Sequence, residues 1–102
     1  LGHAYYYGEG IEQNYEEAVK WYRLAAEQGD ARAQMFLGNM YHKGEGIHQD
    51  YIRAHMWLNL SASQENNKSV EIRDFVANKM SLEQIAEAQQ LSIEWEQSAS
   101  SR

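Results

Sequence analysis

The sequence contains no cysteine and no proline. Without cysteine there is no disulfide framework, no thiolate metal site and no cysteine nucleophile. Without proline, its turns are left to glycine and polar residues. Cations are also scarce: 9 Lys and Arg stand against 15 Asp and Glu, a net charge of −6. That balance disfavours nucleic acid and anionic membranes as partners. No apolar run approaches the roughly 18 residues of a membrane span, so no membrane insertion is expected. His3, His42, His48 and His55 fall on different elements without a ligand spacing such as i, i+4, so neither a metal nor another cofactor is expected. Gly8-Glu9-Gly10 and Gly44-Glu45-Gly46 lack the preceding strand and basic partner that a phosphate loop needs. Each instead follows a helical stretch and encloses a glutamate. They read as tight turns using φ > 0, with Ile11 and Ile47 plugged into the core.

What the chain does have is repetition. Leu1-Gly2-His3-Ala4-Tyr5-Tyr6-Tyr7-Gly8-Glu9-Gly10-Ile11 returns 36 residues later as Leu37-Gly38-Asn39-Met40-Tyr41-His42-Lys43-Gly44-Glu45-Gly46-Ile47. Gln13, Tyr15, Ala18, Trp21, Leu24, Ala26 and Gln28 then recur as Gln49, Tyr51, Ala54, Trp57, Leu60, Ala62 and Gln64. Residues 1–30 and 37–66 share 14 identities in 30 positions, where chance gives roughly two. A fixed period of this length marks a stacked-repeat architecture. Because Leu1 aligns with Leu37, the sequence opens inside a repeat, and a longer parent protein is expected.

Helical signals fill the period. Residues 1–7 read as the end of one helix. Asn14 caps a second near 15–28, with Glu17 in the capping-box position. Tyr15, Ala18, Tyr22, Ala25 and Ala26 share a face there, and Trp21 and Leu24 widen the apolar arc as if the helix packed on two sides. Asp30 caps a helix over 31–43 that buries Ala33, Leu37, Met40 and Tyr41. The recurring mid-helix glycine, Gly38, costs about 1 kcal/mol against alanine, which calls for a close helix neighbour. Asp50 caps 51–63, with Ala54, Trp57, Leu58 and Leu60 apolar. Beyond Gln64 the identities stop, but helices near 68–80 and 82–96 are still indicated, the second opened by the capping box Ser81-Leu82-Glu83-Gln84. No strand is expected.

The pattern Ala33-Gln34-x-x-Leu37-Gly38-x-x-Tyr41-x-x-Gly44-x-Gly46-Ile47, with Ala54-x-x-Trp57 and Ala62, resembles the Sel-one-like repeat, a relative of the tetratricopeptide repeat. The resemblance implies an all-α fold: a right-handed α/α superhelix, or solenoid, of helix-turn-helix units ending in a C-terminal capping helix pair. In these terms 1–97 form one solenoid, with a truncated first repeat at 1–30, a second at 31–66 and a divergent cap at 67–97; a disordered tail follows at 98–102. The resemblance further implies a non-catalytic scaffold or adaptor that binds a protein or peptide on its concave face. The alternative is a ligand-binding protein or hydrolase, since cysteine-rich relatives are linked to β-lactam recognition. Self-association through the exposed N-terminal repeat face is a third mode. The compartment stays open between cytoplasm and periplasm.

Binding positions are expected where the repeat drifts. Within 31–43, Leu37, Gly38 and Tyr41 recur and are structural. Arg32, Met35, Asn39, His42 and Lys43 fall opposite by helical spacing, with His3, Tyr6 and Tyr7 as their partners in the first repeat. Residues 31–43 carry Arg32 and Lys43 and no acid. A groove with tyrosines at one end and cations at the other suits a peptide bearing an acidic or C-terminal carboxylate group.

Overall fold

A computed structural model of the chain describes residues 2–100. The described residues form six helices: α1 Gly2–Tyr7, α2 Tyr15–Glu27, α3 Ala31–Lys43, α4 Tyr51–Ala62, α5 Asn67–Ala77 and α6 Leu82–Ser100. No strand occurs among the described residues. The helices stack in sequence as the all-α repeat solenoid expected above: α1 on α2, α2 on α3, α3 on α4, and α4 on both α5 and α6.

The caps work as their residue types require. Asn14, Asp30, Asp50 and Asn66 each accept the backbone N–H three residues on, which satisfies an otherwise orphaned donor of the first turn. Glu17 does not return the favour to Asn14; its carboxylate lies 3.2 Å from Lys20. Ser81 and Gln84 do form the reciprocal box, at 3.1 and 2.9 Å. The recurring glutamines close the loops. Gln13 donates to the Tyr6 carbonyl and Gln49 to the His42 carbonyl, at 2.9 and 2.8 Å.

The third unit keeps the period in geometry after losing it in identity. Asn66 caps α5 as Asp30, 36 positions earlier, caps α3. Glu65 has φ 65° where Gly29 has φ 93°. A left-handed non-glycine residue costs roughly 1–2 kcal/mol, offset by about 0.5–1 kcal/mol for the freedom glycine loses on folding. Glu65→Gly is therefore expected to stabilise the fold by roughly 0.5–1 kcal/mol and raise Tm by about 2–8 °C. Thermal melting followed by circular dichroism checks the sign.

Helix α4 is the centre of the core. Ala54, His55, Met56, Trp57, Leu58, Leu60 and Ser61 are all buried, as befits a helix with neighbours on several sides. α6 supplies one of them: Trp95 meets Trp57 edge-on at 5.8 Å, and Ser92 Oγ donates to the Met56 carbonyl at 3.3 Å. α2 differs. Ala18, Tyr22 and Ala26 are buried, but Trp21 and Leu24 are 39% and 53% exposed, whereas their counterparts Trp57 and Leu60 are 6% and 2% exposed. α2 packs on two sides as expected, against α1 and α3, but among the described residues no further helix covers Trp21 and Leu24 as α6 covers their counterparts on α4. Ile11 also departs from expectation: it is 39% exposed, while Ile47 is partly buried against the core. α6 continues through Ser100, three residues into the stretch expected to be a disordered tail, because nothing in Ser98-Ala99-Ser100 breaks a helix. Residues 101 and 102 of that tail lie outside the described residues. Phe75, Leu82 and Ile93 remain exposed, so the last unit is less polar outside than a solenoid cap calls for.

Candidate binding groove

The first helices of the three units, α1, α3 and α5, share one side of the solenoid. Met35 and Asn39 stand one turn apart on α3, as do Lys68 and Ile72 on α5. With Tyr7 of α1 and Phe36 of α3 they enclose a groove of about 270 Å³. Its floor is apolar, from Met35, Phe36 and Ile72. Its polar groups are an amide, an ammonium and a phenol, all able to donate hydrogen bonds. A second hollow of about 460 Å³ opens towards the start of α3, lined by His3, Trp21, Tyr22, Asp30 and Arg32 among others. Phe36 forms a wall of both hollows, with its ring stacked on Tyr22 at 4.9 Å and 7° and edge-on to His3 at 5.6 Å.

The eight residues expected on the binding face therefore divide. Tyr7, Met35 and Asn39 line the groove together. His3 and Arg32 line the neighbouring hollow. Lys43 is exposed at the end of α3, one turn beyond Asn39.

Tyr6 and His42 are engaged in packing. The Tyr6 hydroxyl donates to Glu45 at 2.9 Å, and its ring lies against Tyr15 and Phe36. Burial and the Glu45 carboxylate push that phenol's pKa well above the ordinary tyrosine range. Burial likewise lifts Tyr22 to about 12. The His42 ring sits between Tyr51 and Phe75 at 6.0 and 5.5 Å, with Nδ1 buried and without a hydrogen-bond partner. Burial, then Lys79 and Lys43, lower its pKa and hold it neutral at physiological pH.

Phe36, Lys68 and Ile72 were not anticipated in the sequence. Phe36 precedes Leu37, so its counterpart would lie ahead of Leu1. Lys68 and Ile72 fall where identity between units is lost. A shift of 36 positions, applied without demanding identity, would have found both: Arg32 maps to Lys68 and Phe36 to Ile72. Among the described residues no group of three His, Cys, Asp or Glu side chains could hold a metal ion, and no helix is long and apolar enough to cross a membrane.

A Sel1 repeat model matches residues 1–30 and again 31–66. No curated protein matches the sequence. Among solved structures, the chain is similar to c5321, a protective antigen present in uropathogenic Escherichia coli strains and displaying an SLR fold. The two are 34% identical over 93% of this chain, with a TM-score of 0.88. A Sel1 repeat protein from Oxalobacter formigenes is 40% identical over 74% of this chain, with a TM-score of 0.71. The chain spans 21% of the first protein and 31% of the second.

Proposed function

The chain belongs to the Sel1 repeat family, whose members are generally protein-interaction modules, and on that premise we propose that it binds a protein or peptide segment in the groove between α1, α3 and α5. The observation that carries this reading is the groove itself. Three consecutive units each contribute to one apolar-floored channel with donors at its edge. Helical solenoids present extended surfaces of this kind to partners, and a floor with a few placed polar groups is what recognition sites share. The role is that of a non-catalytic scaffold or adaptor.

Asn39→Trp places an indole in the channel. Peptides selected on the parent protein from a displayed random library are expected to lose about tenfold or more in affinity for this variant, since filling the site removes the buried contacts that carry binding. Helicity and Tm should stay close to the parent values. Selected peptides that bind parent and variant equally would remove the groove as the site.

A further inference from the structure

We propose that the segment held in the groove is an extended acidic one, its Asp and Glu side chains paired with two rows of cations, Arg32 with Lys68 and Lys43 with Lys79. This rests on the groove reading above and adds the chemistry of the ligand. Each row joins positions one period apart, since 32 and 68, and likewise 43 and 79, differ by 36. Arg32, Asn39 and Lys43 fall on one side of α3. Lys68, Ile72 and Phe75 fall on one side of α5, and Lys79 follows just past its end. All four cations are exposed.

None of the four has a carboxylate partner among the described residues. Lys20, Arg53 and Arg73 do, at 3.2, 3.3 and 3.4 Å. Lys79 instead lies over the Phe75 ring at 4.7 Å. Arg32 and Lys68 also stand in the first turns of α3 and α5, which hold no acid. A cation there opposes the helix dipole, so neither residue serves the stability of its own helix. Glu71, an exposed acid at the position of Met35, forms no ion pair with Lys68 among the described residues. In a chain of net charge −6, cations left without a carboxylate at both ends of α3 and α5 are arranged for charge from outside.

Lys68 lines the channel and Arg32 the hollow beside it, while Lys43 closes α3 and Lys79 follows α5 at the other end. Residues 32 and 43 are about 16 Å apart along α3 at 1.5 Å per residue. Packed helices lie about 8–10 Å apart, a distance an extended peptide crosses in about three residues. Laid along the channel, residues i, i+2 and i+4 of such a peptide share one face and span about 13 Å at roughly 3.3 Å per residue, so acids at i and i+4 can approach the two rows while an apolar residue at i+2 meets Met35, Phe36 and Ile72. The acid comes from side chains and not from a terminal carboxylate, because one terminus could satisfy only one of the four positions.

The test uses fluorescein-labelled, C-terminally amidated peptides of repeating X-Ser-Leu-Ser, in which X is Glu, Gln or Lys and shares a face with Leu; they are written Leu/Glu, Leu/Gln and Leu/Lys. The Leu/Glu peptide should bind tightest and weaken as salt rises. Reversing all four cations to Glu should weaken it by on the order of 100-fold, since like charges across an interface repel strongly, and should turn preference to Leu/Lys. Lys20→Glu with Arg53→Glu, on other faces, should leave binding unchanged. If Leu/Gln binds as well as Leu/Glu and Asn39→Trp abolishes both, the groove stands and its acidic ligand does not. A Leu/Glu peptide that binds only with a free C-terminal carboxylate also overturns the proposal. If none of the peptides binds in a manner sensitive to Asn39→Trp, both readings fall.

Discussion

Gly38→Leu is expected to lower stability by about 3 kcal/mol or more, the upper part of the range for overpacked cores. A Cβ at Gly38 would meet Leu58 Cγ at 2.8 Å, the Ala54 carbonyl oxygen at 3.0 Å and Leu58 Cδ2 at 3.2 Å. Leu58 and Ala54 are fully buried on α4, so Leu58 has no empty space to turn into, and the carbonyl belongs to the helix backbone. Interiors are packed like crystals and yield little. Gly38→Ala separates causes by sign. In an open helix, Gly→Ala stabilises by about 1 kcal/mol; here it should destabilise, because the contact outweighs the propensity gain. Glu94→Gln, on the exposed side of α6, should stay within about ±0.5 kcal/mol. Urea or thermal melts of the three variants decide the matter. A Gly38→Leu protein that melts with Glu94→Gln would end the close-packing account of this glycine.

The helices of the first two hairpins were legible because each residue there answers to a local rule as well as a tertiary one. Asn14, Asp30 and Asp50 cap whether or not a neighbour is present. Ala33, Leu37, Met40 and Tyr41 follow helical spacing, and all four are buried. The placement of α6 was not legible. α4 is apolar on several faces, which says that something covers it without saying what. Only the packing of Trp95 and Ser92 on Trp57 and Met56 identifies the cover. The same limit explains Trp21 and Leu24. They carry the repeat's residue types, but burial depends on a neighbour that the sequence of one unit does not encode.

The groove was half legible for a similar reason. Drift between repeats singled out Tyr7, Met35 and Asn39, which line one groove. It also singled out Tyr6 and His42, whose drift reflects packing. Tyr6 reaches forward to Glu45 of the next loop, and His42 fills space between Tyr51 and Phe75. A variable position in a repeat thus has two explanations, a ligand or an irregular neighbour, and only coordinates distinguish them.

The two loop glycines Gly10 and Gly46 should part company when each is changed to alanine. They occupy the same place in the repeat, with φ 76° and 72°, so each substitution brings the same left-handed strain of roughly 1–2 kcal/mol. Their surroundings differ. A Cβ at Gly46 would lie 2.5 Å from the Tyr15 carbonyl carbon, 2.6 Å from its oxygen and 2.8 Å from the Glu16 nitrogen, whereas a Cβ at Gly10 would meet nothing within 4 Å. The obstacle at Gly46 is backbone at the capped start of α2, where no side chain can rotate away. Either the loop or the helix must move, and the Tyr6–Glu45 hydrogen bond beside them ties the same two units together. Gly46→Ala should therefore cost about 2–3 kcal/mol more than Gly10→Ala, the overpacking penalty added to a shared strain. Equal shifts in Tm for the two variants would mean that the loop of the second hairpin does not lock onto α2, and that its glycine answers only to φ.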